Sequence, residues 1–253
     1  MKIVRYLDKG IPSYGVIEKD IIKEIKGTPF NKIIFTDSIF QLSDVKLLAP
    51  STPSKILGMA LNYKSHILET RKPPTKPEPF FKTPSCIIGP SEPIILPRGV
   101  GLVQEEGELV VIIGRRCSKV SIAEAMDYVL GYTCGNDVSA REWQSGDIQW
   151  WRAKSADTFG PIGPCIVTDI DCSRLNIRVR INGKEVQNCN TSELLFDVPT
   201  LISFISQTVT LKADDLIFTG TSGRPAQIKN GDVVEVEIDG IGILSNLVEE
   251  EKK

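Results

Sequence analysis

Short stretches in which apolar and polar residues alternate fill most of the chain, and helical periodicity is rare. Residues 2–7, 16–25 and 33–35 read as β-strands, each bounded by Gly, Pro or Asp. The proline-bearing stretch LLAPSTPSK follows and divides the chain into a small β-rich amino-terminal domain, residues 1–50, and a second domain, residues 51–253. Residues 55–60 form another strand-like run, 63–71 read as a polar helix, and the proline-dense 73–84 reads as a long loop beside a site. The continuous apolar run 109–113 predicts a buried strand, and Ser121 with Glu124 has the spacing of a capping box that leads into a β-like run ending at Asp137. Further on, Ile177, Val179 and Ile181 alternate with Arg178 and Arg180 before Asn182-Gly183, and Asp239-Gly240 separates VVEVEI from IGILSNLV, so two hairpins are expected. Leu201, Ile202 and Ile205 give residues 199–207 the spacing of an amphipathic helix. The expected fold is α+β, sheet-dominated, with few helices.

Composition narrows the partners. A chain of 253 residues with 41% apolar and 25% charged residues is a folded globular protein with ample material for a core. Lys and Arg number 30 against 32 Asp and Glu, so there is no basic field with which to hold a nucleic acid. Six cysteines without a C-x-x-C pair read as reduced thiols of a cytoplasmic protein. No apolar run approaches the roughly 20 residues of a membrane helix, and the first residues lack the apolar stretch of a signal peptide, so neither export nor a membrane segment is expected. His66 is the only histidine, which leaves little from which to build a zinc site; a metal here is held mainly by oxygen.

Glu106 and Glu108 precede the apolar run, and the period of a strand puts both carboxylates on one face. An isolated E-x-E is ordinarily a solvated strand end. Asp137, in GNDVSARE at the end of the second run, adds a third carboxylate, and three oxygens from two strand ends suit Mg²⁺, Mn²⁺ or Ca²⁺. On a helical turn Glu69 would orient the His66 imidazole three residues before it and raise its basicity. Lys154 lies in WWRAKSADTFGPIGP, where two tryptophans and a Gly/Pro loop would partly desolvate its ammonium. Phosphate-loop, dinucleotide-turn, nucleophile-elbow and H-E-x-x-H patterns do not occur.

Residues 55–248 resemble the fumarylacetoacetate hydrolase family over eight blocks in the family's order: KILGMALNYKSHILE, PEPFFKTPSCIIGP, EEGELVVIIGR, AMDYVLGYTCGNDVSAREWQ, WWRAKSADTFGPIGPCIV, NGKEVQNCNTSEL, LKADDLIFTGTS and KNGDVVEVEIDGIGILSN. The resemblance implies a mixed β-roll catalytic domain, often preceded by a small amino-terminal domain, and a homodimer. It implies Mg²⁺ or Mn²⁺ on an E-x-E…D triad that falls on Glu106, Glu108 and Asp137. It puts His66 and Glu69 where members carry a catalytic H-x-x-E dyad, Lys154 at the lysine that contacts the substrate oxyanion, and Gln144 at a substrate-side glutamine. Thr219 and Gly220 open the T-G-T block that lines the pocket opposite. The family usually continues T-G-T-P-x-G-V-G, whereas this chain reads TGTSGRPAQIKNGD, so a shorter, reshaped wall is expected there.

The implied reaction starts from a 2-oxo acid chelated at the cation and passes through an enolate. It ends in isomerisation or tautomerisation of an unsaturated 2-oxo diacid, as in aromatic catabolism, or in hydrolytic C–C cleavage of a 3-acylpyruvate. Oxaloacetate decarboxylation or tautomerisation is the alternative, and a non-catalytic 2-oxo-acid or metal binding protein is the alternative of another class.

Overall fold

A computed structural model describes residues 1–67 and 72–252. The first fifty residues supply β1 (Lys2–Asp8), β2 (Ile11–Glu18), β3 (Ile21–Ile25), β4 (Phe35–Gln41) and β5 (Lys46–Leu48). Then come β6 (Ile56–Ala60), β7 (Glu78–Lys82), β8 (Ile87–Ile88), β9 (Ile94–Leu96), β10 (Val103–Gln104), β11 (Gly107–Ile113), β12 (Val129–Asn136) and β13 (Ser139–Ala140). Two short helices, α1 (Arg141–Gly146) and α2 (Trp151–Ser155), precede β14 (Gly160–Val167), β15 (Asn176–Ile181) and β16 (Lys184–Asn190). After α3 (Val198–Ser206) the chain ends in β17 (Leu216–Phe218), β18 (Val233–Ile238) and β19 (Gly242–Glu250).

The result is the sheet-dominated α+β fold. One sheet of twelve strands has the order β4-β3-β2-β1-β14-β12-β11-β17-β6-β7, with β5 also on β1 and β8 on β14. A second sheet runs β16-β15-β18-β19-β9. Strand β11 is buried on both faces, which explains its unbroken apolar run. Leu109, Val111 and Ile113 join a core with Ile177, Val179 and Val236 of the second sheet, while Val110 and Ile112 join another with Ile3, Ile166 and Phe218. Each such side chain contributes about 1.5–3 kcal/mol by leaving water, so this strand is a rigid base for whatever its ends carry.

Both hairpins form. Asn182 and Gly183 take φ of 52° and 77°, the left-handed pair that a tight turn between β15 and β16 requires. Glu124 accepts bonds from the backbone and hydroxyl of Ser121 at 3.1 and 2.6 Å, and the turn that follows is a 3-10 helix, Ile122–Tyr128. The Asp197 side chain caps α3 by accepting from the Thr200 amide.

Five expectations need correction. The strand expected at 33–35 lies further on, as β4 (Phe35–Gln41), which shares only Phe35 with it and pairs with β3. The run 16–25 is two strands, because Glu18-Lys19-Asp20 turns the chain with Lys19 at φ 59°. The proline-dense 73–84 contains β7, which tolerates Pro79 because it is the sheet's edge and pairs only with β6. The expected helix 63–71 is a 3-10 turn over Lys64–His66, and Ile67 is already extended; Glu69 lies outside the described residues. The GPIGP stretch is no loop but part of β14, inside the large sheet.

Gly135 on β12 faces Glu108 across the ladder, and a Cβ there would run into Val110 and lie 2.7 Å from the Phe218 ring. Gly135→Ala is therefore expected to destabilise the protein by about 1–3 kcal/mol through overpacking, read as a lowered midpoint of denaturant unfolding.

Candidate active site

The register of one strand pair assembles the acidic cluster. Gly107 pairs with Asn136 and Glu108 with Gly135, so the residues just beyond the ladder, Glu106 and Asp137, lie side by side. The Asp137 amide donates to the Glu106 carbonyl at 2.8 Å, and the Asn136 side chain accepts from the Glu106 amide at 2.9 Å. Glu106 and Glu108 share a face by the strand period, as their spacing predicts. Glu105, on the other face, accepts from the Ala226 amide at 2.9 Å, and burial pushes its carboxyl up to about 7. One carboxylate oxygen from each of Glu106, Glu108 and Asp137 lies within 4.8 Å of the other two, and all three residues are buried.

Cations answer this charge from three elements. Lys154 on α2 is 2% exposed, and its Nζ donates to Glu106 Oε2 and Asp137 Oδ2, each at 2.5 Å. Arg141, at the start of α1, donates from Nη2 to Glu106 Oε1 at 2.5 Å, from Nε to Gln104 and from Nη1 to Gln144. Lys82 on β7 is fully enclosed and sits 2.7 Å from Asp137 Oδ1, too oblique for a hydrogen bond; it donates instead to the carbonyls of Phe159, at 3.0 Å, and Lys154. Burial alone would raise the Glu106 carboxyl, but the Lys154 ammonium and the Arg141 guanidinium reverse this and bring it to about 2. Glu108 goes the other way, well above the usual carboxylate range, through burial and the Asp137 and Glu106 carboxylates. Burial would likewise lower the Lys154 ammonium, but Asp137 and Glu106 raise it.

The cluster opens into a cavity of about 810 Å³, whose wall includes Glu106, Lys154, His66, Gln144, Phe80 and Trp150. His66 Nδ1 lies 2.8 Å from the Gly223 carbonyl, which can only accept, so Nδ1 carries the proton and neutral imidazole keeps its Nε2 lone pair. Phe80 stands 5.1 Å from the Lys154 ammonium and packs edge-on against Trp150. Thr219 and Gly220 stand behind the wall: the Thr219 hydroxyl donates to the Leu109 carbonyl, and the Gly220 amide donates to Glu108 Oε2 at 2.7 Å. From that block it is Thr221, Gly223, Arg224 and Pro225 that line the cavity.

Thus seven of the eight described residues singled out from the sequence border the acidic cluster or the cavity directly, or bond to a residue that does; Thr219 is tied in only through β11. Lys82, Arg141 and Phe80 escaped the sequence reading. Phe80 and Lys82 had one usable signal, their i, i+2 spacing on a strand, but the prolines around them hid it.

The donor set fits a hard divalent cation. Among the described residues the converging group is three carboxylates with no thiol or imidazole in it, and buried Asp137 Oδ1 makes no hydrogen bond there, meeting only the Lys82 ammonium at 2.7 Å.

The family description "Fumarylacetoacetate (FAA) hydrolase C-terminal" matches residues 55–249, and "Rv2993c-like, N-terminal" matches residues 1–50. The solved 5-carboxymethyl-2-hydroxymuconate delta-isomerase of Mycobacterium smegmatis is 42% identical, with a TM-score of 0.94 over 99% of this chain and 100% of that one. A mitochondrial oxaloacetate tautomerase of Xenopus laevis is 43% identical over 83% of this chain and 70% of its own. A maleylpyruvate hydrolase of Sphingobium sp. SYK-6, crystallised with manganese(II) and pyruvate, is 26% identical with a TM-score of 0.83, and both chains are covered in full. No described helix is long and apolar enough to cross a membrane.

Glu108 must ionise to bind a cation, and its carboxyl is held above the usual range. Binding therefore releases a proton, and affinity rises with pH as that proton becomes easier to remove. Mn²⁺ titrated calorimetrically in two buffers of different ionisation enthalpy is expected to show proton release in the wild type and little in Glu108→Gln. Equal heats in both buffers would refute the linkage.

Proposed function

The chain belongs to the fumarylacetoacetate hydrolase family, and on that footing we propose that it is a divalent-cation-dependent enzyme acting on 2-oxo acids through their enolates. Tautomerisation or isomerisation is the principal reaction. The observation that carries this reading is the convergence of three buried carboxylates beside a cavity whose wall bears His66 and Lys154. Relatives of this fold include a 5-carboxymethyl-2-hydroxymuconate delta-isomerase, an oxaloacetate tautomerase and a maleylpyruvate hydrolase, named for oxo acids or their enols.

Glu106, Glu108 and Asp137 would hold the cation, Mg²⁺ or Mn²⁺, which when bound supplies a Lewis acid for the 2-oxo group. The chain's own residues do the rest. His66, with Nδ1 fixed by the Gly223 carbonyl, takes the C3 proton on Nε2. The proton then returns to the 2-oxygen to give the enol, or to a carbon further along the conjugated chain to give an isomer. Lys154 stabilises the oxyanion that develops as the C–H bond breaks, next to the carboxylates its Nζ already spans. Arg141 and Gln144 keep Glu106 oriented, and Phe80 with Trp150 exclude water from one side. Hydrolysis of a 3-acylpyruvate is the second reading, favoured by the manganese-bearing hydrolase among the similar structures. It uses the same enolate as the leaving carbon, with His66 delivering water to the acyl group.

The test is the interconversion of enol and ketone oxaloacetate, followed by enol absorbance, with 3-acylpyruvate cleavage measured in parallel. Glu106→Ala, Glu108→Ala and Asp137→Ala are expected to abolish turnover and weaken Mn²⁺ binding, and full activity in excess EDTA would refute the assignment. His66→Ala should retain Mn²⁺ and lose about 10²–10⁴-fold in turnover. Lys154→Met should lose about 10²-fold or more in kcat with a smaller change in KM, as for one oxyanion donor.

A further inference from the structure

We propose that Arg224 binds the distal carboxylate of the substrate and makes the enzyme selective for 2-oxo dicarboxylates over 2-oxo monocarboxylates. This rests on the reading of the site given above and adds to it the residue that would meet the second carboxylate of a diacid.

Arg224 lies in TGTSGRP, where the chain departs from the usual family pattern, and it lines the same cavity as Glu106, His66 and Lys154. The other cations there are committed. Lys154 is bonded to Glu106 and Asp137, and Arg141 is divided among Glu106, Gln104 and Gln144. Among the described residues no carboxylate pairs with Arg224, which leaves its guanidinium open to an incoming anion at the cavity wall.

The segment that carries it is built rather than loose. Gln104 donates to the Pro225 carbonyl at 2.6 Å, the Gly223 amide donates to Ser65 at 3.2 Å, and His66 donates to the Gly223 carbonyl at 2.8 Å. Gln187 donates to the Ser222 hydroxyl at 3.1 Å, and the Ala226 amide donates to Glu105. Residues on both sides of Arg224 are therefore tied to the cavity wall, and Pro225 stiffens the backbone directly after it.

Charge balance points the same way. With a cation bound and Glu108 ionised, Glu106, Glu108 and Asp137 are matched by Lys82, Lys154 and Arg141, three against three. A divalent cation adds two positive charges, which a monocarboxylate leaves half compensated and a dicarboxylate neutralises. With one carboxylate beside the cation, the second has Arg224 as its open partner on the wall. Arg224 is exposed, so the contact is screened by salt and its effect is moderate.

The experiment measures calorimetric binding to the full chain in the presence of Mn²⁺. The ligands are 2-oxoglutarate and 2-oxoadipate, each against the 2-oxo monoacid of equal length, with oxalate as a probe of the chelating end alone. Wild type is expected to favour at least one diacid over its monoacid by about 10-fold at low salt, with the preference shrinking as salt is added. Arg224→Gln should remove that preference and leave oxalate and the monoacids within about two-fold, while Arg224→Lys restores part of it. No diacid preference in the wild type, or Arg224→Gln weakening every ligand alike, overturns the role of Arg224 while oxalate binding still upholds the cation site. Failure of oxalate to bind would instead overturn the cation site itself, and the role of Arg224 with it.

Discussion

Three carboxylates brought within 4.8 Å of one another in the interior of a β-fold repel each other and lose their hydration, and the fold has to answer both costs. It does so with cations delivered from β7, α1 and α2, the elements around the cluster that are not part of the β11–β12 pair. Such buried pairs add little net stability, because desolvation consumes most of the Coulomb gain, yet removing one partner leaves an uncompensated charge that costs about 3–5 kcal/mol. Lys82 is the sharpest case. Its ammonium satisfies the carbonyls of Phe159 and Lys154 while facing Asp137, so it locks the helix that carries Lys154 to the strand end that carries the acid.

The opposite responses of two neighbouring carboxyls follow from this arrangement. Glu106 touches Lys154 and Arg141 and is held ionised to about pH 2, whereas among the described residues Glu108 receives only the Gly220 amide and faces two other acids. Both stand on one face of a strand whose pairing with β12 brings Asp137 beside Glu106. A slip of one residue would turn them to the other face and leave Glu105 in their place; because β11 is apolar on both faces, what opposes such a slip is specific fit, the space at Gly135 against Val110 and Phe218 and the cations that meet Glu106.

Elements with a strong local signal were legible in the sequence. The two hairpins, α3 and β11 each have a turn, cap or unbroken apolar run that no tertiary contact overrides. The acidic cluster was legible in part, because strand period and strand-end position are local properties of Glu106, Glu108 and Asp137, but an isolated E-x-E is ordinarily solvated and it was the family resemblance that singled out the three together. What escaped depends on the edge of the sheet. Prolines around residues 73–84 read as loop, and only at an edge, where one side of the strand needs no partner, could they flank β7 and its buried Lys82. The burial of Lys154 was also only partly visible, since a lone lysine is ordinarily solvated and its partners come from 17 and 48 residues away. The helical spacing of 63–67 was overridden, since the described turn ends at Ile67 and a described partner of the imidazole is a backbone carbonyl more than 150 residues further on; Glu69 lies outside the described residues.

That last contact couples two parts of the site that look independent in sequence. The Gly223 carbonyl sets which nitrogen of His66 carries the proton, and Gly223 immediately precedes Arg224. The same short segment returns through the Pro225 carbonyl to Gln104, which also accepts from Arg141, the residue that holds Glu106. A change in the backbone of 222–226 therefore acts on the imidazole tautomer and on the orientation of an acid in the cluster together, with no substitution at either residue. A wall so connected can vary in the side chain it presents to a ligand, as it does at Arg224, only while its carbonyls stay where they are. Variation is tolerated in the side chain because the hydrogen bonds that matter to the base and to Glu106 are made by the backbone.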